Sequence, residues 1–284
     1  MSPDLRRRLA VAGVGIPLCV LLTYAGGIVF AVGLGTVAAI GYREFATMMR
    51  GAGTRAFTVP GAIGAFLFPP AVLVGGFEGA ALLGAGLVLV CPALALATVE
   101  LDDKPIRCAA VTAFGAVYVG GLLAFGIPLR EGRVLLPDAG GPDDGRIAGT
   151  LLFFLPVVLT WIADTAAYAG GRAFGRRPLA PRVSPNKTVA GAVAALLASL
   201  FTAFLYPQLL FPDVWTPGVP LTLVFGLVVG ALAILGDLAE SALKRECGVK
   251  DSSSLLPGHG GMLDRLDSVL WALPAAFLLL ALAG

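Results

Sequence analysis

Charge is scarce in this chain: Asp, Glu, Lys and Arg make up 13% of its 284 residues, about half the share of an ordinary soluble domain. That scarcity argues against a water-solvated globule, and the complement agrees, with 57% hydrophobic residues and a mean hydropathy of +0.89. Most of the chain must have lipid as its solvent. Cysteine is equally thin. Cys19 and Cys91 fall in apolar runs, Cys108 and Cys247 near polar ends, and no CxxC or paired spacing occurs, so neither a disulfide framework nor a zinc site is expected. No internal repeat is visible, which leaves an inverted-repeat transporter without support.

What the sequence does have is apolar runs, near 9–25, 27–42, 57–76, 79–99, 108–128, 148–170, 189–211, 220–243 and 266–283. A spanning helix takes about 20 such residues, because a 1.5 Å rise per residue has to cover roughly 30 Å of hydrocarbon. The expectation is an all-α polytopic membrane protein of about nine transmembrane helices. The basic start followed by apolar residues is read as the first span and not as a cleaved leader. With Arg6, Arg7 and Arg8 placed in the cytoplasm, every Lys and Arg except Arg130, Arg133 and Arg146 falls on the cytoplasmic side. That sets the N-terminus inside and, after an odd number of spans, the C-terminus outside. The charge split loads one membrane face with cations.

The two halves differ in chemistry. Residues 1–150 are expected to be plain spans with short polar connections. In residues 151–284 charge enters the apolar segments themselves, at Asp164, Asp237, Glu240, Lys244 and Asp264. A charge at membrane depth costs a few kcal/mol, so such residues are expected to line a polar cavity, pair, or bind ions.

Three constellations can carry chemistry. Asp237, Glu240, Ser241 and Lys244 recur at i, i+3, i+4 and i+7, on one face of the eighth helix; a helix end emerging into water explains Lys244 and Arg245 but explains Asp237 poorly. The segment from Lys250 to Ser268 is a Gly-rich loop running into a helix. Gly258, Gly260 and Gly261 permit close backbone approach, and exposed N–H groups before a helix start suit phosphate; the plain alternative is a flexible loop with an acidic helix start. Lys250, His259 and Arg265 cross this loop, and Asp264 and Asp267, at i and i+3, can hold a divalent cation such as Mg²⁺. His259 is either a loop hydrogen-bonder or a general base. In the third cluster Asp164 and Tyr168 share a helix face, followed by Gly171-Arg172 and Ser184-Pro-Asn186-Lys187-Thr188. Arg176, Arg177 and Arg182 read as topogenic charge; Lys187 reads as specific.

The stretch Ser241-Ala-Leu-Lys244-Arg245, Lys250-Asp251, Pro257-Gly-His259-Gly-Gly-Met-Leu-Asp264-Arg265-Leu-Asp267 resembles the signature of the phosphatidate cytidylyltransferases, or CDP-diglyceride synthases. The Asp164 and Lys187 clusters are similar to two further motifs of that family, so the resemblance covers about residues 160–270, with Asn186 standing where the family usually has a lysine. The resemblance implies transfer of CMP from CTP to phosphatidate, giving CDP-diacylglycerol and pyrophosphate, with Mg²⁺ required, a second, monovalent cation suggested, and a homodimer. It implies catalytic roles for Lys244, Arg245, Lys250, Asp251, His259 and Arg265. Substrate binding would fall to Tyr168, Arg172, Ser184, Lys187, Thr188, Ser241, Gly260 and Gly261, and metal binding to Asp237, Asp264, Asp267 and Asp164. The expected setting is the inner membrane of the cell, with the site facing the cytoplasm, membrane lipid as partner and no nucleic acid. Competing readings are a related CTP-using lipid enzyme, such as a polyprenol-type kinase or an ether-lipid cytidylyltransferase, and an ion-coupled transporter.

Overall fold

The computed structural model describes the chain except residues 1–2, 133–141, 213, 214, 216, 257, 259, 283 and 284, and describes no side chains over 3–10 and 142–144. It is a helical protein: α1 (Pro3–Ala25), α2 (Gly27–Gly51), α3 (Thr58–Thr98), α4 (Pro105–Ala116), α5 (Gly126–Glu131), α6 (Pro142–Phe174), α7 (Val189–Leu210), α8 (Val219–Glu246) and α9 (Leu263–Ala281). A small antiparallel hairpin, β1 (Pro178–Ala180) with β2 (Ser184–Thr188), separates α6 from α7.

Among the described residues six helical stretches are long and apolar enough to cross a bilayer, 27–51, 58–98, 105–131, 145–174, 189–210 and 219–246, with a shorter apolar helix over Val11–Ala25. The all-α membrane class read from composition therefore holds. At 41 residues α3 would be about 60 Å long, twice the hydrocarbon thickness. The break comes at Gly76, which has φ 59 and ψ −156 inside the helix. Only a residue without Cβ adopts that conformation at little cost, and the two arms, 58–75 and 77–98, fall on two separate expected runs. After α4 a π-helical turn over Val117–Gly121 interrupts the α pattern.

The chain divides into two compact units, residues 1–127 with 244–266, and residues 128–243 with 267–284. In the first, the Tyr42 hydroxyl donates to the Phe57 carbonyl at 2.9 Å and the Phe57 N–H donates to Thr112 Oγ1 at 2.9 Å. These bonds tie the start of α3 to α2 and α4. In the second unit, helices approach closely at small residues. A Cβ on Gly191 would stand 2.7 Å from the Ala167 carbonyl oxygen, one on Gly226 2.9 Å from Leu200 Cα, and one on Gly236 2.6 Å from the Asp267 carbonyl oxygen. Small-residue contacts of this kind replace the hydrophobic drive that lipid removes. Hydroxyls inside the helices, Ser199 and Thr202 among them, return to their own i−4 carbonyls, so no water is needed to satisfy them.

Candidate active site

Between the end of α8 and the start of α9 the described residues form a carboxylate-anchored loop. Lys244, in the last turn of α8, donates to Asp264 Oδ1 at 2.7 Å. The second oxygen of Asp264 accepts the Ser252 N–H at 2.9 Å, the Ser252 hydroxyl at 2.8 Å and the Gly261 N–H at 2.8 Å. Burial pushes the Asp264 carboxyl upward, but the Lys244 ammonium and the donors from Gly261 and Ser252 outweigh it and hold the group down at about 2. A buried, ionised, fully bonded aspartate results.

A second carboxylate enters this loop from α2. Glu44, 6% exposed, accepts the Ser253 hydroxyl at 2.6 Å, the Ser252 hydroxyl at 3.0 Å, and the Met262 and Leu263 N–H groups at 2.9 and 2.8 Å. Sequence reading places no functional residue in the first 150. The available signal is positional: Glu44 lies four residues before Met48 and three after Gly41, both buried, so it occupies the packed face of α2, where a solvated charge has no reason to be.

The N–H groups of Gly261, Met262 and Leu263 thus already have protein acceptors, and the Gly-rich turn serves the close approach instead. Gly258 and Gly260 have φ of 78 and 81, a region L-residues rarely adopt. Lys250, Asp251 and Arg265 are exposed, as is Arg245, whose guanidinium reaches the Val249 carbonyl at 3.3 Å. His259 lies outside the described residues.

In the second unit a cavity of about 650 Å³ is lined by Asp164, Tyr168, Arg172, Ser184, Lys187 and Asp237, among others. The hairpin builds one wall. β2 carries Lys187 to within 2.5 Å of Asp237 Oδ2, both side chains 27% exposed, and Ser241 Oγ stands 3.5 Å from the other Asp237 oxygen. Thr188 ends β2 and caps α7, its hydroxyl accepting the Gly191 N–H at 3.1 Å. Arg172 donates to the Tyr168 hydroxyl at 3.1 Å. Gly171 and Gly175 pack against Thr188, which brings the hairpin onto α6. Asp267, one turn into α9, accepts the Ser268 N–H at 2.7 Å. The sequence clusters around 164–172, 184–188 and 237–241 converge on this cavity, and those around 244–251 and 260–265 on the anchored loop. The hairpin itself has no counterpart in the sequence reading.

Among the described residues no three carboxylate, cysteine or histidine side chains stand together as a ready-made metal cluster. The donor chemistry of the cavity nonetheless suits Mg²⁺, which takes one or two carboxylates and completes its shell with water and substrate phosphates. Asp164 and Asp237 supply two such groups on its wall.

The fold is that of a helical membrane protein with two polar centres among its described residues, a cavity lined by carboxylates and cations and a loop anchored on Asp264 and Glu44. The chain matches the Cytidylyltransferase family over residues 6–283 and belongs to it. It is 33% identical to the chloroplastic phosphatidate cytidylyltransferase 4 of Arabidopsis thaliana over 95% of this chain and 72% of that protein. It is 44% identical to the phosphatidate cytidylyltransferase of Haemophilus influenzae over 44% of each chain. With the Bacillus subtilis phosphatidate cytidylyltransferase, identity is 43% over 47% of this chain and 49% of that one. The matched stretches thus span about half the length of these bacterial relatives.

Proposed function

We propose that this chain transfers CMP from CTP to phosphatidate, giving CDP-diacylglycerol and pyrophosphate for phospholipid biosynthesis. A phosphatidate oxygen attacks the α-phosphorus of CTP, the new P–O bond forms, and the bond to the departing pyrophosphate breaks. The nucleophile is already anionic at pH 7, so no strong general base is needed. What the reaction needs is cations that let two polyanions meet and that stabilise charge on the leaving group. The cavity holding Lys187 against Asp237, with Arg172 on its wall, is the observation that carries the reading.

In this reading Lys187 and Arg172 bind phosphate oxygens, with Tyr168, Ser184, Thr188 and Ser241 shaping the pocket. For the anchored loop, taken by itself, the same reading gives Lys250, Arg265 and Arg245 the role of cations toward phosphate, and includes Lys244, Asp251, His259, Gly260 and Gly261. Mg²⁺, when bound, would supply Lewis-acid neutralisation of the phosphates. Asp237 and Asp164 are the first candidates to hold it, then Asp267; Asp264 has the least capacity left, because four donors already occupy it. A monovalent cation, a homodimer, nine spans, a cytoplasmic N-terminus, an outside C-terminus and an inner-membrane location with the site facing the cytoplasm belong to the same proposal. The support for orientation is the sorting of Lys and Arg to one side.

Purified protein incubated with CTP labelled in its base, phosphatidate and Mg²⁺ should yield labelled CDP-lipid. Lipid label appearing only with CTP labelled at its γ-phosphate and a polyprenol acceptor would instead mark a kinase, and no lipid label in either incubation would sink both enzyme readings.

A further inference from the structure

Glu44 is set apart from the other carboxylates by what it holds. Its four donors belong to a segment more than 200 residues away in the chain, with separations of 208 to 219. Two of them are the N–H groups at the start of α9. A helix start leaves its first N–H groups without intrahelical acceptors, and a residue inside the same turn usually caps them. Here the acceptor comes from α2. Ser252 Oγ lies between Glu44 Oε2 and Asp264 Oδ2, at 3.0 and 2.8 Å, so its one proton is shared between the two carboxylates. A Cβ on Gly261 would come to 2.5 Å from Glu44 Oε2, and the absence of a side chain there is what lets the carboxylate in. An open cavity of about 460 Å³, lined by Ile40, Arg43, Glu44, Thr47 and residues 252–255, lies beside the clamp.

We propose that Glu44 is a positioning residue for cytidylyl transfer: it fixes Ser252, Ser253, Met262 and Leu263 so that the exposed cations flanking them, Lys250 before the loop and Arg265 in the first turn of α9, are presented at set positions to the polyanionic substrate. The inference rests on the reaction proposed above. Because Glu44 already occupies the Met262 and Leu263 N–H groups, the start of α9 is filled by a protein anion and does not bind substrate phosphate. The loop therefore meets substrate through its side chains, whose positions depend on the clamp.

Glu44→Gln keeps the shape of the side chain but removes its charge and, because Met262 and Leu263 donate to different carboxylate oxygens, turns an NH₂ group toward one of the two backbone donors. In the full-length protein, hydrogen exchange at the Met262 and Leu263 amides should accelerate about tenfold or more on loss of a charge-assisted bond, while exchange in α7 stays at the wild-type rate. With CTP, phosphatidate and Mg²⁺, kcat should fall about ten- to a hundredfold, as expected of a misplaced catalytic group. KM for both substrates should stay within about twofold. Glu44→Asp, which keeps the charge and loses reach, carries the same measurements if the Gln variant does not fold. Unchanged exchange overturns the clamp. Faster exchange with unchanged kcat overturns the positioning role and leaves a structural one. A lower KM with kcat retained also overturns it, by making Glu44 a competitor for the anion-binding turn. If the wild-type protein makes no CDP-lipid, the reaction itself is wrong, and the exchange measurement alone still decides whether Glu44 holds the loop.

Discussion

Asp264 and Asp237 each face a lysine, at 2.7 and 2.5 Å, in different circumstances. Asp264 and Lys244 have side chains 6% and 13% exposed, and three further donors from Ser252 and Gly261 complete the aspartate. Asp237 and Lys187 are each 27% exposed on the wall of a large cavity, and the carboxylate has the more distant Ser241 hydroxyl as a further neighbour. A buried pair whose carboxylate already takes four donors holds structure, because little of its hydrogen-bonding capacity is left for a ligand. A half-exposed pair on a cavity wall retains hydrogen-bonding capacity for a ligand, and a charged ligand can exchange with either partner.

The largest effect is expected at Asp264. Asp264→Asn leaves Lys244 buried without its counter-charge, which should destabilise the protein by about 3–5 kcal/mol, seen as a large fall in the thermal midpoint in detergent. Its Mg²⁺ requirement, measured on whatever folds, should be little changed. The reverse pattern, unchanged stability with a steeper Mg²⁺ requirement, would make Asp264 a ligand and erase the distinction. At the cavity, Asp237→Asn and Lys187→Ala should each lower kcat/KM by about 10²–10³, the usual effect of removing one electrostatic stabiliser. Each should cost only about 1 kcal/mol or less in stability, as for a partly exposed pair. Asp237→Asn should also raise the Mg²⁺ concentration needed for half-maximal rate.

Acid sharpens the contrast on a smaller scale. The Asp264 carboxyl titrates at about 2 in the folded chain against 3.8 ordinarily. A depressed acid adds stability that is fully present above about pH 4 and is lost as pH falls toward 2, on the order of 2 kcal/mol in all. Acid-unfolding curves of wild type should show this loss, and those of Asp264→Asn should be flatter over the same window. The smallest effect belongs to Thr188→Ala, where loss of the α7 cap should cost about 1 kcal/mol in thermal unfolding and Thr188→Ser should recover most of it.

Much of the fold was legible because lipid simplifies the code: long apolar runs become helices, and the gap between the two runs expected over 57–99 falls near the kink at Gly76. The convergence of Asp164, Tyr168, Lys187 and Asp237 was legible too, since polar residues at helical spacing inside apolar segments leave few other destinations. The hairpin was not. Pro178-Leu-Ala and Ser184-Pro-Asn-Lys-Thr show no period-two apolar pattern, and what holds them is packing against Gly171 and Gly175, which sequence spacing does not encode. Glu44 was missed for a related reason. Its partners lie more than 200 residues away, and only its place between buried Gly41 and Met48 marked it.

The hairpin also sets a phase. Strand residues point alternately to one side and the other, and Thr188 is both the last residue of β2 and the cap of α7. Lys187 is therefore locked in step with the first turn of a membrane helix. One residue inserted between Lys187 and Thr188 would swing the ammonium to the opposite side of the strand from Asp237 while the helix kept its own start. Two inserted residues would restore the side but carry the ammonium about 6.6 Å along the strand from Asp237. Length variation at this junction should thus be disabling at either step, by facing the ammonium away after one residue and by carrying it out of reach after two.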